Sequence, residues 1–434
     1  MDISRIIEYN RWWDTGQIRR DLCPEYERSM LNSLISSLPS RYVSVLRGPR
    51  RTGKSTILYQ SIRHLLSSGV DPEKILFFSF DAESGDIQEL IDEYRDSVLA
   101  SPIDSKDRIY IFLDEVQKCR GWSEQVKRNY DLYPNIKFVL NGSVSFNLGM
   151  ESSESLAGRA REFVLMPMSF REYLELRGER LPDEGSPLKR YLMARERLQP
   201  RFTHYLSTGG FPEIASEEDL STIREYVMSG IVRRVVYGDL FGDNRIGDPE
   251  SMMSLLRAIS EKPGMLLNYD RLGSDIGRDR RTVSSYISRL EYGMVIRTLG
   301  NLTGSALTSS RKNRKAYPVS TALTFAFRIG TMGDEELGRI YETALVNHMD
   351  ASFFWRRSRG EVDIITGEKG EYATEVKLGG NGPFHFGRYS RYREIRRALV
   401  ITKNISGSGS DDGISYEMVP AWAFCAGGDR SEGS

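Results

Sequence analysis

The segment from Tyr42 to Leu66, YVSVLRGPRRTGKSTILYQSIRHLL, constrains this chain more than any other. A short apolar run breaks into a glycine-bounded loop and resumes as a helical pattern. Gly48, Gly53, Lys54 and Ser55 satisfy G-x-x-x-x-G-K-S/T, in which backbone N–H groups curl around an anion and the helix N-terminus adds partial positive charge. The flanks agree with that reading, because Val43 to Leu46 has the composition of a buried strand and Ile57 to Leu66 the spacing of a helix. The whole turn (Gly48, Pro49, Arg50, Arg51, Thr52, Gly53, Lys54, Ser55 and Thr56) is therefore the expected site for the phosphates of a nucleotide. Lys54 is expected at the β and γ phosphates and Ser55 on Mg²⁺, so ATP and Mg²⁺ are the expected cofactors.

A strand–loop–helix of this kind needs further strands beside it, and the sequence supplies them. Ile75 to Phe80 is apolar and ends at Asp81, which either faces the nucleotide or turns the chain. Arg108 to Leu113, RIYIFL, has the near-continuous apolar character of a strand buried on both faces, and it ends in Asp114 and Glu115. Behind a phosphate loop, this pair looks like a Walker B element, with Asp114 holding Mg²⁺ and Glu115 polarising the attacking water. Ile136 to Leu140 is another such strand, ending in Asn141 and followed by Ser143. Alternation of strands and helices implies a doubly wound parallel sheet with its ligand at the carboxyl ends of the strands.

At 434 residues the chain exceeds one ordinary core, since domains run to about 100–200 residues. Basic and acidic residues balance at 60 each, so no global field draws the protein to nucleic acid or membrane, and local patches must carry any such binding. The three cysteines, Cys23, Cys119 and Cys425, are far apart and odd in number, which fits a reducing compartment. The first residues, MDISRIIEYNRWWDTG, lack the apolar core of a signal peptide, and no apolar run approaches the roughly 18 residues needed to cross a bilayer. A cytoplasmic protein without membrane contact is expected. Trp12 and Trp13 are read as packing for a lead-in segment rather than as a base-stacking site.

The phrases GPRRTGKST, FLDEVQK, LNGSVS, SLAGRA and PMSFREYL together resemble a widespread prokaryotic family of AAA+-type ATPases that carry a C-terminal domain similar to restriction endonucleases. The resemblance runs from about Arg41 to about Ala421 and includes YLSTGGFPEIA from Tyr205. It implies ATP binding and hydrolysis. It also implies a γ-phosphate sensor at Asn141, where the family usually has Thr, and an arginine, Arg159 or Arg161, that meets the γ phosphate, often across a subunit interface. Arg159 is the favoured one, and a homo-oligomer is then a candidate form. The expected fold class is α/β: a P-loop NTPase parallel sheet with a helical lid, a winged helix-turn-helix and a C-terminal α/β restriction-endonuclease-like domain. The expected division is a lead-in over residues 1–40, ATPase core 41–168, lid 169–248, winged helix 249–330, nuclease-like domain 331–422 and a disordered tail 423–434.

Two later stretches carry further chemistry. In LNYDRLGSDIGRDRRTVSSYISRLEYGMVIRTL, two short helices flank Gly277 and a β-ribbon begins near Met294, the layout of a winged helix. Arg280, Arg281 and Ser284 are candidate DNA contacts on the second helix. Asp275, Asp279 and Glu291 dilute that basic face, so protein contact is the alternative. Arg311, Lys312, Arg314 and Lys315 add charge on an expected wing. Further on, RGEVDIITGEKGEYATEVK reads as a hairpin placing Asp363 beside Glu375 and Lys377, which share one strand face. This D…E-x-K set looks like the metal-dependent core of restriction-endonuclease-like folds, with Glu342 as an extra acidic residue; the alternative is a solvated charged hairpin. Arg388 to Arg397, with Tyr389 and Tyr392 interleaved, is a candidate nucleic-acid groove.

Overall fold

The computed structural model describes residues 2–81, 85–99, 103, 107–142, 156–179, 181, 192–240, 248–302, 314–328, 330, 332–358 and 360–427. The chain divides into two compact units, Met1–Met166 and Pro167–Ser434.

The first unit opens with helices α1 (Ile3–Tyr9), α2 (Trp12–Thr15) and α3 (Ser29–Ser37). It continues through β1 (Val43–Arg47), α4 (Lys54–Ser67), β2 (Ile75–Ser79), α5 (Ile87–Ser97), β3 (Ile109–Asp114), α6 (Trp122–Leu132), β4 (Ile136–Asn141) and β5 (Ala160–Val164). Among the described residues these strands form one five-stranded sheet in the order β2-β3-β4-β1-β5, every pairing parallel. Runs such as ILFFS and IKFVLN are wholly buried, as a sheet covered on both faces requires. Because all strands point one way, the loops after β1, β3 and β4 meet at a single end of the sheet.

The open edge of β2 is covered by the lead-in. Asn10 accepts from Phe77 N–H at 2.7 Å and donates to Phe77 C=O at 2.8 Å, so its amide stands in for the next strand. The indole N–H groups of Trp12 and Trp13 both donate to Ile75 C=O, at 3.1 and 2.9 Å. The aromatic pair is thus spent on the sheet edge.

The second unit begins with α7 (Phe170–Leu176), α8 (Arg195–Thr208) and α9 (Leu220–Val227). There follow α10 (Pro249–Glu261), β6 (Met265–Leu266), α11 (Tyr269–Ile276), α12 (Arg280–Tyr292), β7 (Ile296–Asn301) and β8 (Lys315–Pro318). After α13 (Thr321–Phe327) and α14 (Asp334–His348) come β9 (Phe353–Arg357), β10 (Gly360–Thr366), β11 (Tyr372–Val376), α15 (Phe386–Ser390), β12 (Arg397–Thr402), β13 (Gly407–Asp411), β14 (Ile414–Pro420) and α16 (Ala421–Gly427). All nine strands join one sheet among the described residues, in the order β13-β14-β12-β11-β10-β9-β7-β8-β6.

The seam lies between β7 and β9, where Gly300 pairs with Phe353 and Asn301 with Phe354 in parallel. Asn301 extends the seam by exchanging hydrogen bonds with the backbone of Arg356, both at 2.9 Å. Residues 249–330 and 331–422, read from sequence as separate bodies, therefore share a continuous sheet. The expected disordered tail also needs correction. Residues 421–427 form α16, in which Trp422, Ala423, Cys425 and Ala426 are buried against α7, α8 and α14. Residues 428–434 lie outside the described residues.

The family-like phrase YLSTGGFPEIA turns out to be a packing joint. Gly209 and Gly210 take φ of +61° and +80°, and a Cβ on either would strike a neighbour: Ser320 and Ala322 for Gly209, the Met168 backbone for Gly210. Ser320 donates to Gly209 C=O at 2.8 Å, which locks the end of α8 onto the start of α13.

Candidate nucleotide site and the buried acidic cluster

The first site grows out of the end of β1. Gly48 follows the strand where any Cβ would collide with the carbonyl of Leu165, and Gly53 caps α4 from the left-handed region at φ +90°. Inside the turn, Thr52 Oγ1 donates to Pro49 C=O at 2.9 Å. Lys54 is buried, its ammonium donating to the carbonyls of Gly48 at 3.1 Å and Pro49 at 2.9 Å. Arg50, Arg51, Ser55 and Thr56 are half-buried around it. Arg28, which sequence reasoning missed, braces the loop from outside by donating to Thr52 C=O at 3.1 Å and Met166 C=O at 2.8 Å.

The neighbouring strands deliver the acidic side of the site. Ser55 Oγ donates to Asp114 Oδ2 at 2.9 Å. Asn141, at the end of β4, donates its amide to Asp114 Oδ1, and Glu115 N–H donates to the same oxygen at 3.0 Å. Burial and the adjacent Glu115 push the Asp114 carboxyl up to about 6. Asn141 Oδ1 is buried with no hydrogen-bond partner among the described residues. Glu115 itself sits at φ +49°, and Gln117 donates its side-chain amide to the Glu115 carboxylate. Gln117 lies within the phrase FLDEVQK, but the sequence reading gave it no role.

Lys54, Ser55, Asp114, Glu115 and Asn141 are thus brought together, whereas Arg159 is not. Arg159 precedes β5, and Val43 N–H bonds its carbonyl at 2.8 Å, which puts it at the opposite end of the parallel sheet from Gly48. Five strand residues at about 3.3 Å each separate those ends. Its guanidinium pairs instead with Asp131 at 3.1 Å, and it cannot reach the phosphate loop of its own chain. Arg161 lies over the Phe163 ring. Asp81 pairs with Lys118 at 2.5 Å, and Ser143 lies outside the described residues.

A second cluster lies in the nine-stranded sheet. The β10–β11 hairpin runs in the expected register, Ile364 opposite Thr374, and the β9–β10 pairing slips between Val362 and Ile365, which re-aims Asp363. Asp363 Oδ2 accepts from Val376 N–H at 2.9 Å. Lys377 Nζ lies 3.3 Å from Glu375 and 3.8 Å from Asp363. Glu375 is fully buried and accepts from His385 N–H at 2.7 Å, so the hairpin is no solvated face. Burial, partly offset by Lys377, pushes the Glu375 carboxyl up to about 8. Glu342 joins from α14 and accepts from Tyr317 OH at 2.5 Å.

Of the four basic residues read from sequence on a wing or connecting loop, two are paired within the fold. Arg314 pairs with Glu291 at 2.7 Å, and Lys315 is buried in the acidic cluster. Arg311 and Lys312 lie outside the described residues. Arg280, Arg281 and Ser284 are exposed on α12, with Arg280 3.2 Å from Asp270. The N-terminus of α12 is capped by the Asp279 carboxylate, which bonds the N–H groups of Arg281 and Thr282 at 2.8 and 3.1 Å. In the basic stretch 388–397, Tyr389 is buried with its hydroxyl on Gly370 C=O at 2.6 Å, while Tyr392 is exposed and stacks on Arg357.

Two stretches of the chain are similar to known domain families. Residues 40–174 match the model of the AAA domain, and residues 199–331 match a Domain of unknown function (DUF8612). Residues 40–174 are thus similar to an AAA-type P-loop domain, and the five-stranded parallel α/β sheet of the first unit fits that likeness. An uncharacterized protein of Haemophilus influenzae is 27% identical over 273 residues, covering 60% of this chain and 63% of its own length. Uncharacterized protein MJ1544 of Methanocaldococcus jannaschii is 23% identical over 351 residues, covering 78% of this chain and 75% of its own length. MJ1637 of the same organism is 26% identical over 299 residues, covering 64% and 62%. The chain thus spans less than two thirds of the Haemophilus relative. The solved structure of C. elegans PCH-2 overlaps 61% of this chain and 70% of its own at 14% identity and a TM-score of 0.25, a superposition that says nothing about function. Among the described residues no helix is long and apolar enough to cross a membrane.

Proposed function

We propose that this chain is a Mg²⁺-dependent ATPase whose nucleotide state governs a second unit built from a helical lid, a winged helix and a restriction-endonuclease-like sheet. The observation that carries the reading is the junction at Asp114, where Ser55 Oγ meets one carboxylate oxygen and the Asn141 amide the other. Ser55 and Asp114 fit Mg²⁺: a hydroxyl and a desolvated carboxylate stand together at the end of a phosphate loop. Bound there, the ion would neutralise charge on the β and γ phosphates.

The protein's own groups do the rest. Lys54 supplies a buried ammonium across the loop, and Gly48 and Gly53 free its backbone N–H groups for phosphate oxygens. Glu115 takes the proton of the attacking water, held in place by its left-handed backbone and by Gln117. Asn141 keeps Asp114 ionised and oriented. Arg159, excluded from its own phosphate loop, acts only on a neighbouring chain's, in a homo-oligomer.

The second unit is read as a DNA-binding module through Arg280, Arg281 and Ser284. The competing reading, contact with proteins only, is favoured by Asp279, whose carboxylate takes the anion position at the N-terminus of α12. One experiment addresses both levels. Glu115→Gln should keep ATP binding and lose hydrolysis by about 10²–10⁴-fold, the usual worth of a general base. Unchanged turnover would remove Glu115 from the chemistry. The same ATP-trapped protein is then tested by gel shift on duplex DNA: a shift insensitive to Arg281→Glu would remove α12 as the DNA contact, and no shift at all would leave the protein-contact reading.

A further inference from the structure

The acidic cluster of the nine-stranded sheet has the residue types of a metal-dependent nuclease, but its centre is already filled from within the chain. Lys315 reaches in from β8, its ammonium 2.5 Å from Glu361, 3.3 Å from Glu342 and 3.9 Å from Asp363. Its side chain is only 6% exposed, and the ammonium lies 5.2 Å from the centroid of the Phe354 ring.

Most of the oxygens a divalent ion would need are engaged as well; Glu375 Oε2 has no hydrogen-bond partner among the described residues and lies 3.3 Å from the Lys377 ammonium. Glu342 Oε1 faces both Tyr317 OH and Lys315, Asp363 Oδ2 holds Val376 N–H, and Glu375 Oε1 holds His385 N–H. Four carboxylates (Glu342, Glu361, Asp363 and Glu375) face the cations Lys315 and Lys377, with Arg356 3.4 Å from Glu361. The residual charge is less than a divalent ion would neutralise. Among the described residues no three acidic, histidine or cysteine side chains converge closely enough to hold a metal. Mg²⁺ requires near-octahedral oxygens at about 2.0–2.1 Å, and an ammonium among these carboxylates denies them.

We propose that Lys315 is the resident cation of this centre: its ammonium stands where a restriction-endonuclease-like core would bind its divalent ion, so the domain does not cut nucleic acid. The proposal rests on the nuclease-like reading of the cluster and is independent of the ATPase. Buried opposite charges pay off only when satisfied by one another, and Lys315 satisfies three carboxylates donated by α14 and β10. The ion's site has become the junction between β8 and those elements.

The test counts bound manganese by electron paramagnetic resonance on the full-length chain, every protein carrying Asp114→Asn so that the nucleotide site contributes nothing. With Lys315 intact, no tightly bound manganese is expected, and no cutting of duplex or single-stranded DNA in Mn²⁺. Lys315→Met keeps the apolar stem and removes the charge; it should gain about one manganese per chain, lost again on adding Asp363→Asn. Manganese bound with Lys315 in place and lost in Asp363→Asn would overturn the proposal while leaving the metal-centre reading intact. If a folded Lys315→Met protein binds none, both fail. Should Lys315→Met not fold, the measurement on the Lys315-containing protein and its Asp363→Asn partner still decides.

Discussion

At the scale of single residues, Lys137 is the least expected feature. It lies fully buried on β4, its ammonium donating to Tyr42 C=O and to Ser44 Oγ, the latter at 2.8 Å, with no carboxylate to pair it among the described residues. Burial, reinforced by Arg108 and Arg161, lowers its affinity for a proton from the usual 10.5 to about 7. Between those values the unfolded chain holds a proton that the folded chain has released. Stability contributed by this position therefore rises with pH from about 7 to about 10.5, by about 1.4 kcal/mol per pH unit, and is constant below that window. Denaturant titrations of the parent and Lys137→Met at pH 7 to 9.5 should show the difference between them moving at that slope; parallel curves would mean that Lys137 stays charged in the fold. The residues legible in sequence were those whose neighbours are fixed by a motif. Lys54 and Ser55 follow a glycine turn, and Asp114 ends an apolar strand. Arg28 and Lys315 were not legible, because their roles depend on partners such as Met166 and Glu342, 138 and 27 positions away. A basic residue in a polar stretch looks solvated until folding brings carboxylates to it.

At the scale of elements, two asparagines do the work of missing strands. Asn10 completes β2 and Asn301 completes the seam between β7 and β9, each donating to a backbone carbonyl and accepting from a backbone N–H of the same residue. A side-chain amide carries the same donor and acceptor as a peptide, so one residue satisfies an edge where a whole strand would otherwise be needed. Asn10 is fully buried, and Asn10→Ala leaves two groups of Phe77 without partners. At about 1–3 kcal/mol for each buried unsatisfied group, a loss of about 2–6 kcal/mol is expected in urea unfolding. A loss below about 0.5 kcal/mol would show that water takes over the edge and that the lead-in does not seal it. Strands β1 to β4 were legible because a sheet covered on both faces leaves unbroken apolar runs. That Trp12 and Trp13 pack was legible too, but the partner was not, since nothing in RWWD points to the carbonyl of Ile75, more than 60 positions away.

At the scale of the whole molecule, the boundaries were the least legible property. Residues 249–330 and 331–422 differ in pattern, helical in one and hairpin-like in the other, and pattern alone separates them. The hydrogen bonds that merge them pair Gly300 with Phe353, a long-range contact that leaves no local trace. The C-terminal end misled for a related reason: AWAFCAGGDRSEGS is short and ends polar, yet its first half is the cover of the second unit's core. Trp422 is fully buried, with its indole on Asn404 at 3.3 Å, and Phe424 packs edge-on against His348 at 5.5 Å. Removing a tryptophan of that burial costs about 3–5 kcal/mol. Because α16 touches both the helices α7 and α8 and the strand β14 that precedes it, the cost should spread. Hydrogen exchange of Trp422→Ala should quicken across Phe170–Leu176, Arg195–Thr208 and Ile414–Pro420 together, with a lower unfolding midpoint. Faster exchange confined to Ala421–Gly427 would instead make α16 an appendage, and would return the end of the chain to the tail that its composition implies.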